Sequence, residues 1–375
     1  MNVALFTESF LPGCGGTENA VLKTAYELVN KGHKVAVFAP DYHRANNDKD
    51  YPFLVIRCKS IKITESDQFA LPSLDKKVKK ALKEFAPDVI HANTTGMMAG
   101  YGLKYGKKHN IATLCTAHMP YKRSWQQTIN FPPIIWWVMH RIIKRLRLAD
   151  QVCTVSNFMV KELQSYGYKK QLAVVKNGNT DNTFEEKAYT PNGKFTLTYV
   201  GRIVKYKNLD FVLEVVKELT KTTKNFVLRM VGDGPDFKKY NARCKKMGIQ
   251  NYVEFVGRIT DREKLGEEYK KADIFFFPSV IDSDGLGLLE AATKGTPSLV
   301  VENTGPSERI TNNKTGFTAE NNVKAFAEKV LWLMQNPKIV EEVGKNSKQI
   351  CTTWENNVEE YVKLYLETIK KVKEK

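Results

Sequence analysis

Two acids and two cations, set around glycine-rich turns, are the residues of this chain best suited to chemistry. Asp282 and Glu290 stand eight positions apart across a glycine-rich turn that opens an apolar helical segment. Upstream, Arg202 and Lys207 follow the apolar run Phe195–Val200. Cations neutralise a diphosphate, helix N-terminal amides assist them, and carboxylates bind sugar and ribose hydroxyls. These residues therefore predict a binding site for a sugar nucleotide.

Arg202 and Lys207 are expected to act in catalysis as well as in binding. When a glycosidic bond to a diphosphate breaks, negative charge builds on the leaving group, and preorganised cations stabilise the transition state more than the ground state. Close backbone approach to the donor sugar is permitted by Gly285 and Gly287. We include Leu286, Leu288 and Glu290, in the same turn and helix, in the expected donor site.

The elements that must position these residues alternate between short apolar runs and helical segments. Runs such as Val3–Phe6 and Val35–Ala39 are apolar on both faces, which is typical of parallel strands covered by helices. The series restarts at Phe195 after a polar stretch from about Asp181 to Lys194. We therefore expect an α/β protein with two Rossmann-like domains, residues 1–183 and 184–355, and a ligand at the C-terminal ends of the strands.

Composition narrows the class of protein further. The chain has 375 residues, of which 42% are hydrophobic, enough for two packed cores. Its six cysteines are scattered without metal-type spacing, and the six histidines show no paired ligand spacing, so we expect reduced thiols and no metal site. The residues from Met1 to Phe6 lack the basic start of a signal peptide, and no apolar stretch is long enough to span a bilayer. The predicted location is cytoplasmic.

The net charge of +17 is concentrated in one part of the chain. Residues 101–150 carry nine Lys and Arg against one acid. Such an excess favours an anionic partner, either nucleic acid, a lipid surface or an acidic substrate, although a lysine-rich genome also raises net charge. No nucleic-acid-binding module is recognisable, so we do not expect a nucleic-acid partner.

Residues 131–148 combine aromatic and basic side chains in one predicted helix. Ile135, Met139, Ile142, Ile143 and Leu146 share a side of that helix. The remaining residues suit a surface that lies on anionic lipid, or belong to an ordinary amphipathic helix whose aromatics are core. The expected membrane or acceptor face consists of Trp136, Trp137, Arg141, Lys144, Arg145 and Arg147.

The order of motifs resembles the retaining glycosyltransferases of family 4, which have the GT-B fold of two facing Rossmann-like domains. Matches run from Met1 to about Tyr365, and Phe6–Pro12 is similar to the bacterial subgroup that glycosylates diacylglycerol and other membrane lipids. The resemblance implies a C-terminal helix, residues 356–375, that crosses back to the first domain. Further matching fragments are Val155–Asn157, Asn177–Gly178, Val231–Pro235 and Ala272–Ile274.

The resemblance also implies roles for single residues. Glu290 should bind the ribose hydroxyls, and Asp282 should lie near the transferred sugar as a catalytic residue, although Asp284 could fill that position instead. Gly15 and Gly16 would lie under the diphosphate, but a simple turn explains a lone glycine loop equally well. His118 is placed against the donor sugar as a catalytic residue, or is a structural histidine at a loop start. Enzymes of this fold generally need no metal, and no cofactor is expected.

Together these expectations describe an enzyme that moves a hexose from a uridine diphosphate sugar to an acceptor hydroxyl, with retention of the anomeric configuration. The expected hexose is glucose. The first acceptor class is a membrane lipid such as diacylglycerol, with the protein peripheral on the inner face of the cell membrane. The second is a growing surface polysaccharide or its lipid-linked precursor. A UDP-sugar epimerase, which can share this architecture, is the rival outside the transferases.

Overall fold

The computed structural model describes residues 1–11, 15–43, 47–63, 68–129, 131–179, 183–187 and 193–374. The chain divides into two compact units, Met1–Thr180 with Thr353–Lys375, and Asp181–Thr352. Each unit is built on one parallel β-sheet flanked by helices. Cys14 and much of the polar stretch expected between the domains lie outside the described residues.

The first unit contains a seven-stranded parallel sheet and a separate two-stranded antiparallel hairpin. Its strands are β1 (Asn2–Phe6), β2 (Lys34–Pro40), β3 (Leu54–Cys58), β4 (Ser60–Lys62), β5 (Gln68–Ala70), β6 (Val89–Ala92), β7 (Ala112–Ala117), β8 (Gln151–Thr154) and β9 (Ala173–Val174). Its first helices are α1 (Gly16–Asn30), α2 (Lys76–Phe85), α3 (Met97–Lys108), α4 (Tyr121–Thr128), α5 (Pro132–Leu146) and α6 (Asn157–Ser165). The sheet order is β3-β2-β1-β6-β7-β8-β9. Successive strands are added towards one edge up to β3 and towards the other edge from β6 onward, so the strand order reverses between β1 and β6 while these strands stay parallel.

The second unit contains a six-stranded parallel sheet. Its strands are β10 (Phe195–Val200), β11 (Phe226–Val231), β12 (Val253–Gly257), β13 (Ile274–Phe277), β14 (Ser298–Val301) and β15 (Phe317–Ala319). Its helices are α7 (Leu209–Leu219), α8 (Phe237–Met247), α9 (Arg262–Lys271), α10 (Leu286–Thr293), α11 (Val323–Gln335) and α12 (Pro337–Asn346). The order β12-β11-β10-β13-β14-β15 reverses between β10 and β13. Open α/β sheets bind ligands at such a reversal, outside the carboxyl ends of the strands.

Strand β1 of the first sheet is apolar on both faces, as expected from the sequence. In β1 all four residues from Val3 to Phe6 are fully buried. Val3 and Leu5 pack into one hydrophobic cluster, whereas Ala4 and Phe6 pack into another on the opposite face of the sheet. Because successive side chains of a strand point to opposite faces, such a strand needs helices on both sides. The Rossmann-like reading of each unit is therefore confirmed.

The last helix, α13 (Trp354–Lys373), belongs to the first unit. Its residues Val358, Tyr361 and Tyr365 are buried in the same cluster as Val3 and Leu5. The Tyr365 hydroxyl is 2.7 Å from Nδ1 of His91, a buried residue of β6. The helix that the sequence predicted over residues 356–375 thus completes the core of the first unit. No helix in the described ranges is long and apolar enough to cross a membrane.

Candidate functional site

Two of the predicted donor residues meet at the reversal point of the second sheet. Lys207 ends a 3₁₀ turn, Lys205–Lys207, that follows β10, and Asp282 lies in the loop between β13 and α10. The Nζ atom of Lys207 is 2.7 Å from Oδ1 and 3.0 Å from Oδ2 of Asp282. Their side chains are 20% and 23% exposed, so both remain accessible to a ligand. The ion pair joins the two loops between which an open α/β sheet binds its ligand.

Neighbouring residues hold these two loops in place. Asn208 follows Lys207 with a φ of 61°, a conformation that asparagine tolerates better than most residues. Its Nδ2 donates to the carbonyl oxygen of Pro278 at 2.9 Å, a second link between the loops. The buried Tyr199 hydroxyl donates to the carbonyl oxygen of Arg202 at 3.1 Å, while the Arg202 residue itself is exposed. The geometry thus supplies an exposed cation and a partly exposed one on the loop after β10.

The glycine-rich turn before α10 has a different role at each glycine. Gly285 caps the helix with a φ of 78°, a left-handed conformation that disfavours other residues. A side chain at Gly287 would place its Cβ 3.1 Å from the ring of Phe275 in β13. Gly287 therefore lets the helix pack closely on the sheet, and the expected approach of its backbone to the donor stays a prediction. The backbone N–H groups of Leu286 and Gly287 open the helix, where intrahelical acceptors are missing.

Glu290 is held by two partners that the sequence did not reveal. The Tyr269 hydroxyl donates to its Oε2 at 2.9 Å, and the Arg262 guanidinium donates to its Oε1 at 3.0 Å. Burial and the adjacent Glu290 carboxylate raise the pKa of Tyr269 well above its usual value, so the hydroxyl stays a donor. The Glu290 side chain is 28% exposed. Its carboxylate is consequently oriented and still accessible from solvent.

Asp284 differs from its near neighbour Asp282. It is paired with Arg309, and the side chains of this pair are only 4% and 2% exposed respectively. Arg309 donates from its second terminal nitrogen to Oδ2 of Asp284 at 2.8 Å. Arg309 ends the turn Pro306–Arg309 after β14, so the pair ties that turn to the loop preceding α10. Of the two acids left open by the sequence, Asp282 is the one accessible to a ligand.

The other expected site residues belong to the first unit. Gly15 precedes α1 and Gly16 is its first residue, in the connection that leaves the carboxyl end of β1. His118 directly follows β7 and is partly buried. His91 is fully buried, with Nε2 2.8 Å from the Thr116 hydroxyl, so its placement is that of a core histidine.

Glu8 is a partly buried acid whose role the sequence did not indicate. Its carboxylate, in the loop after β1, accepts the backbone N–H of Ala99 at 3.0 Å, in the first turn of α3. A side chain on Gly96 would collide with this carboxylate, at 2.2 Å from its Cδ. Burial raises the pKa of Glu8, while the Ala99 hydrogen bond and the charge of Arg145 oppose that effect. Glu8 thus joins the loops after β1 and β6, the reversal point of the first sheet.

Helix α5 presents its tryptophans to solvent. It begins with Pro132 and Pro133, which suit the first turn of a helix. Trp136 and Trp137 are 69% and 56% exposed, so the alternative that these aromatics are core is wrong. The Arg141 guanidinium lies over the Trp137 ring, 5.5 Å from its centroid. The buried side of the helix is the predicted one, formed by Ile135, Met139, Ile142, Ile143 and Leu146.

Arg145 departs from the expected exposed face. It is partly buried and donates to the carbonyl oxygen of Thr95 at 2.7 Å. Burial lowers the pKa of its guanidinium, and the nearby Glu8 acts in the opposite direction. Arg145 therefore ties α5 to the loop before α3. Arg141, Lys144 and Arg147 are exposed, as expected.

Within the part of the chain that the structure describes, no group of three or more His, Cys, Asp or Glu side chains is arranged to hold a metal ion.

Comparison with known families assigns both units. Residues 14–181 match the model "Glycosyltransferase Family 4", and residues 180–350 match the model "Glycosyl transferases group 1". Together the two matches span residues 14–350. The chain belongs to the glycosyltransferases that these two family models describe. As a family 4 glycosyltransferase, it is an enzyme of the hexosyltransferase class.

Two relatives of this glycosyltransferase carry the same name, alpha-monoglucosyldiacylglycerol synthase. The protein from Acholeplasma laidlawii is 24% identical over an alignment of 402 positions, which covers 99% of this chain and 98% of that relative. The protein from Streptococcus pneumoniae is 26% identical over 312 residues, which cover 79% of this chain and 70% of the relative. The similarity to the first relative extends over both units.

Solved structures show that the glycosyltransferase has the GT-B fold. Sucrose-phosphate synthase from Thermosynechococcus elongatus matches with a TM-score of 0.80 at 19% identity, covering 97% of this chain and 98% of that one. HepE from Anabaena, solved in complex with UDP and glucose, matches with a TM-score of 0.74 at 16% identity, covering 97% and 99%. The expected fold is therefore confirmed.

Proposed function

We propose that this glycosyltransferase moves glucose from UDP-glucose to a hydroxyl of a membrane lipid such as diacylglycerol, with retention of the anomeric configuration. The observation that carries the donor part of the proposal is the Lys207–Asp282 pair, 2.7 Å apart at the reversal point of the second sheet. A cation, a carboxylate and the start of α10 converge there, and a sugar diphosphate needs all three kinds of group.

In the proposed mechanism Arg202 and Lys207 bind the donor diphosphate. As the bond between the sugar and the phosphate breaks, both cations stabilise the charge that accumulates on the departing oxygen. Asp282 orients the Lys207 ammonium through their ion pair and lies beside the position of the sugar. Glu290, held by Tyr269 and Arg262, accepts hydrogen bonds from the ribose hydroxyls. We assign Gly15, Gly16 and His118 to the same reaction from the first unit.

The lipid acceptor is supported by two independent observations. The relatives that match nearly the whole chain or most of it are named as synthases of a glucosyl-diacylglycerol. Helix α5 exposes two tryptophans beside exposed cations, a combination found on proteins that lie on anionic membranes. We therefore place the protein on the inner face of the cell membrane, in peripheral contact with it.

We propose that the reaction needs no resident metal or other cofactor, because Arg202 and Lys207 supply the positive charge that a divalent cation would otherwise provide. The test is the rate of transfer after treatment with EDTA and gel filtration. An unchanged rate is expected, and a rate restored by added Mg²⁺ or Mn²⁺ would contradict the proposal.

The defining experiment uses purified protein, vesicles of phosphatidylglycerol with diacylglycerol, and a panel of radiolabelled UDP- and GDP-hexoses. We expect label from UDP-glucose in the extracted lipid, and an α-linkage in the product by NMR. Lys205→Ala, in the same turn as Lys207, is the matched control for Lys207→Ala. Vesicles without diacylglycerol test whether that lipid is the acceptor.

Other outcomes would redirect the proposal. Label from another hexose in the lipid phase would change the donor while keeping the acceptor. Label in a water-soluble polymer would support the surface-polysaccharide alternative. Conversion of one UDP-sugar into another without acceptor would indicate an epimerase, and no donor consumption at all would contradict transfer.

A further inference from the structure

A groove of about 410 Å³ lies on the first unit, between α5 and the end of α6. Its volume is within the range of about 300–1,000 Å³ that is usual for small-ligand sites. Its floor is apolar, formed by the buried side chains of Met139 and Ile143. Trp136 and Tyr166 form its walls, and three basic side chains line it: His140, Lys144 and Arg147.

The lining residues of α5 form one stripe along that helix. Trp136, His140, Ile143 and Arg147 are spaced by four, three and four positions, which places them on a single helical face. The Trp136 and His140 rings are stacked, with centroids 5.7 Å apart. One N–H of Arg147 donates to the Gly167 carbonyl oxygen at 3.2 Å, so the guanidinium reaches the far side of the groove. Arg147 keeps its other donors for a ligand.

The charge of the groove is positive. Lys144 and Arg147 are exposed cations on its rim. Glu162, whose carboxylate accepts the hydroxyl of the wall residue Tyr166, is itself paired with Arg123 at 2.7 Å. This acid is therefore already neutralised, and the groove presents its cations above an apolar floor.

From these features we propose that the groove binds the phosphate head group of an anionic phospholipid. Arg and Lys match a phosphodiester in charge and in hydrogen bonding, whereas the apolar floor and the Trp136 indole suit the glycerol and the start of the acyl chains. A choline head group adds a cation that Lys144 and Arg147 repel. The chemistry thus selects phosphatidylglycerol over phosphatidylcholine.

The position of the groove on α5 fits a bilayer surface. Tryptophan prefers the interfacial level of a membrane. Lys144 is eight residues beyond Trp136, or about 12 Å along the helix axis. The polar zone of a leaflet is roughly 5–8 Å deep, so a tilted α5 keeps its cations at head-group level while Trp136 lies at the acyl boundary.

The bound lipid is distinct from the acceptor in the proposed function. Diacylglycerol carries no phosphate, so it offers nothing to Lys144 and Arg147. The phospholipid in the groove instead holds the first unit on the membrane through a defined site. This binding does not rest on the proposed transfer reaction, and its test uses neither donor nor acceptor.

The test measures binding of short-chain phosphatidylglycerol, below its micelle concentration, to the full-length protein by isothermal titration calorimetry. We expect saturable binding at one site and weaker binding of short-chain phosphatidylcholine. Lys144→Gln with Arg147→Gln should weaken phosphatidylglycerol binding at least tenfold, because the double variant removes two charge-assisted contacts to the phosphate. Lys104→Gln with Lys161→Gln removes the same charge from exposed positions outside the groove and should leave binding unchanged.

Three results would overturn the inference. The first is equal weakening in both double variants, which would mean diffuse attraction without a site. The second is inorganic phosphate or glycerol 1-phosphate binding as tightly as the phospholipid, which would assign the groove to a free phosphate compound. The third is no saturable binding by the unmodified protein. Melting temperatures of both variants should equal that of the unmodified protein, since all four side chains are exposed.

Discussion

Asp284 and Arg309 form an ion pair that is almost completely removed from solvent, with side chains 4% and 2% exposed. Breaking a buried pair by removing one charge typically costs about 3–5 kcal/mol, because the partner is left buried and uncompensated. We expect Asp284→Asn to lower the free energy of unfolding by about that amount. Asp282→Asn removes one charge of the partly exposed pair with Lys207. This variant should lower the free energy of unfolding by about 1 kcal/mol or less and reduce the transfer rate at least tenfold. Urea unfolding and initial rates measure the two effects, and a stable but inactive Asp284→Asn protein would reverse our assignment.

Lys207→Ala should reduce the transfer rate by about 10²–10³, the usual loss when one preorganised donor to a developing negative charge is removed. Its ammonium is partly exposed, so the melting temperature should change little. Single-turnover rates at saturating donor separate chemistry from binding. Lys205→Ala should keep the unmodified rate, and equal rates in both variants would refute the role of Lys207.

Tyr269→Phe should act through Glu290. The variant loses the 2.9 Å hydrogen bond to Oε2, and a hydrogen bond to a charged group is worth about 1.5–3 kcal/mol. We expect the KM for the donor to rise about tenfold or more, with kcat nearly constant, because ribose contacts are present in both ground and transition states. Tyr252→Phe, outside the site, is the control. A fall in kcat at constant KM would place Glu290 in the chemical step instead.

Arg145 and Arg141 are separated by one helical turn of α5 but have different surroundings. Arg145→Gln removes the contact with Thr95 and should lower the melting temperature without a matching loss of vesicle binding. Arg141→Gln should weaken binding to phosphatidylglycerol vesicles about fivefold, for one cation near the surface, at an unchanged melting temperature. Sedimentation with vesicles and thermal unfolding compare the two. The opposite pattern would mean that Arg145 faces the lipid.

His91 should make stability depend on pH. Burial, with a smaller effect of His118, lowers the pKa of His91 to about 3, against 6.5 for an ordinary histidine. Between these values the unfolded chain binds the extra proton, so the free energy of unfolding rises with pH, by up to about 1.4 kcal/mol per pH unit. His91→Phe should show a shallower rise between pH 4.5 and 6.5 in urea unfolding. An identical slope in both proteins would remove His91 as the cause.

Much of the architecture was predictable because it follows from local patterns. The strand period and the apolar side of α5 depend on residues a few positions apart, so β1, β2 and the stripe from Ile135 to Leu146 agree with expectation. The hairpin of β4 and β5 was missed. Its strands have three residues each, and Ile61 and Phe69 are exposed, so no periodic signal marks them.

The partners of the site acids could not be predicted for a different reason. Tyr269 precedes Glu290 by more than twenty positions, and Arg309 follows Asp284 by a similar distance. Such contacts are made when α9, α10 and the turn after β14 pack together, and no spacing rule links them. The sequence therefore identified the acids, while their separation into an accessible Asp282 and a buried Asp284 required the structure.

The position of α13 affects the order in which the two units fold during translation. Tyr361 and Tyr365 help to fill the core that also contains Val3 and Leu5, although the whole second unit lies between them in the chain. On the ribosome, residues 1–179 emerge first but cannot close that core until residues 354–365 have been translated. The core of the second unit also needs α11 and α12, but these helices end at residue 346, so this unit can complete its core before α13 has been translated. We therefore expect the first unit, although it is translated first, to complete its folding last. A recombinant version of the first unit needs α13 joined to it.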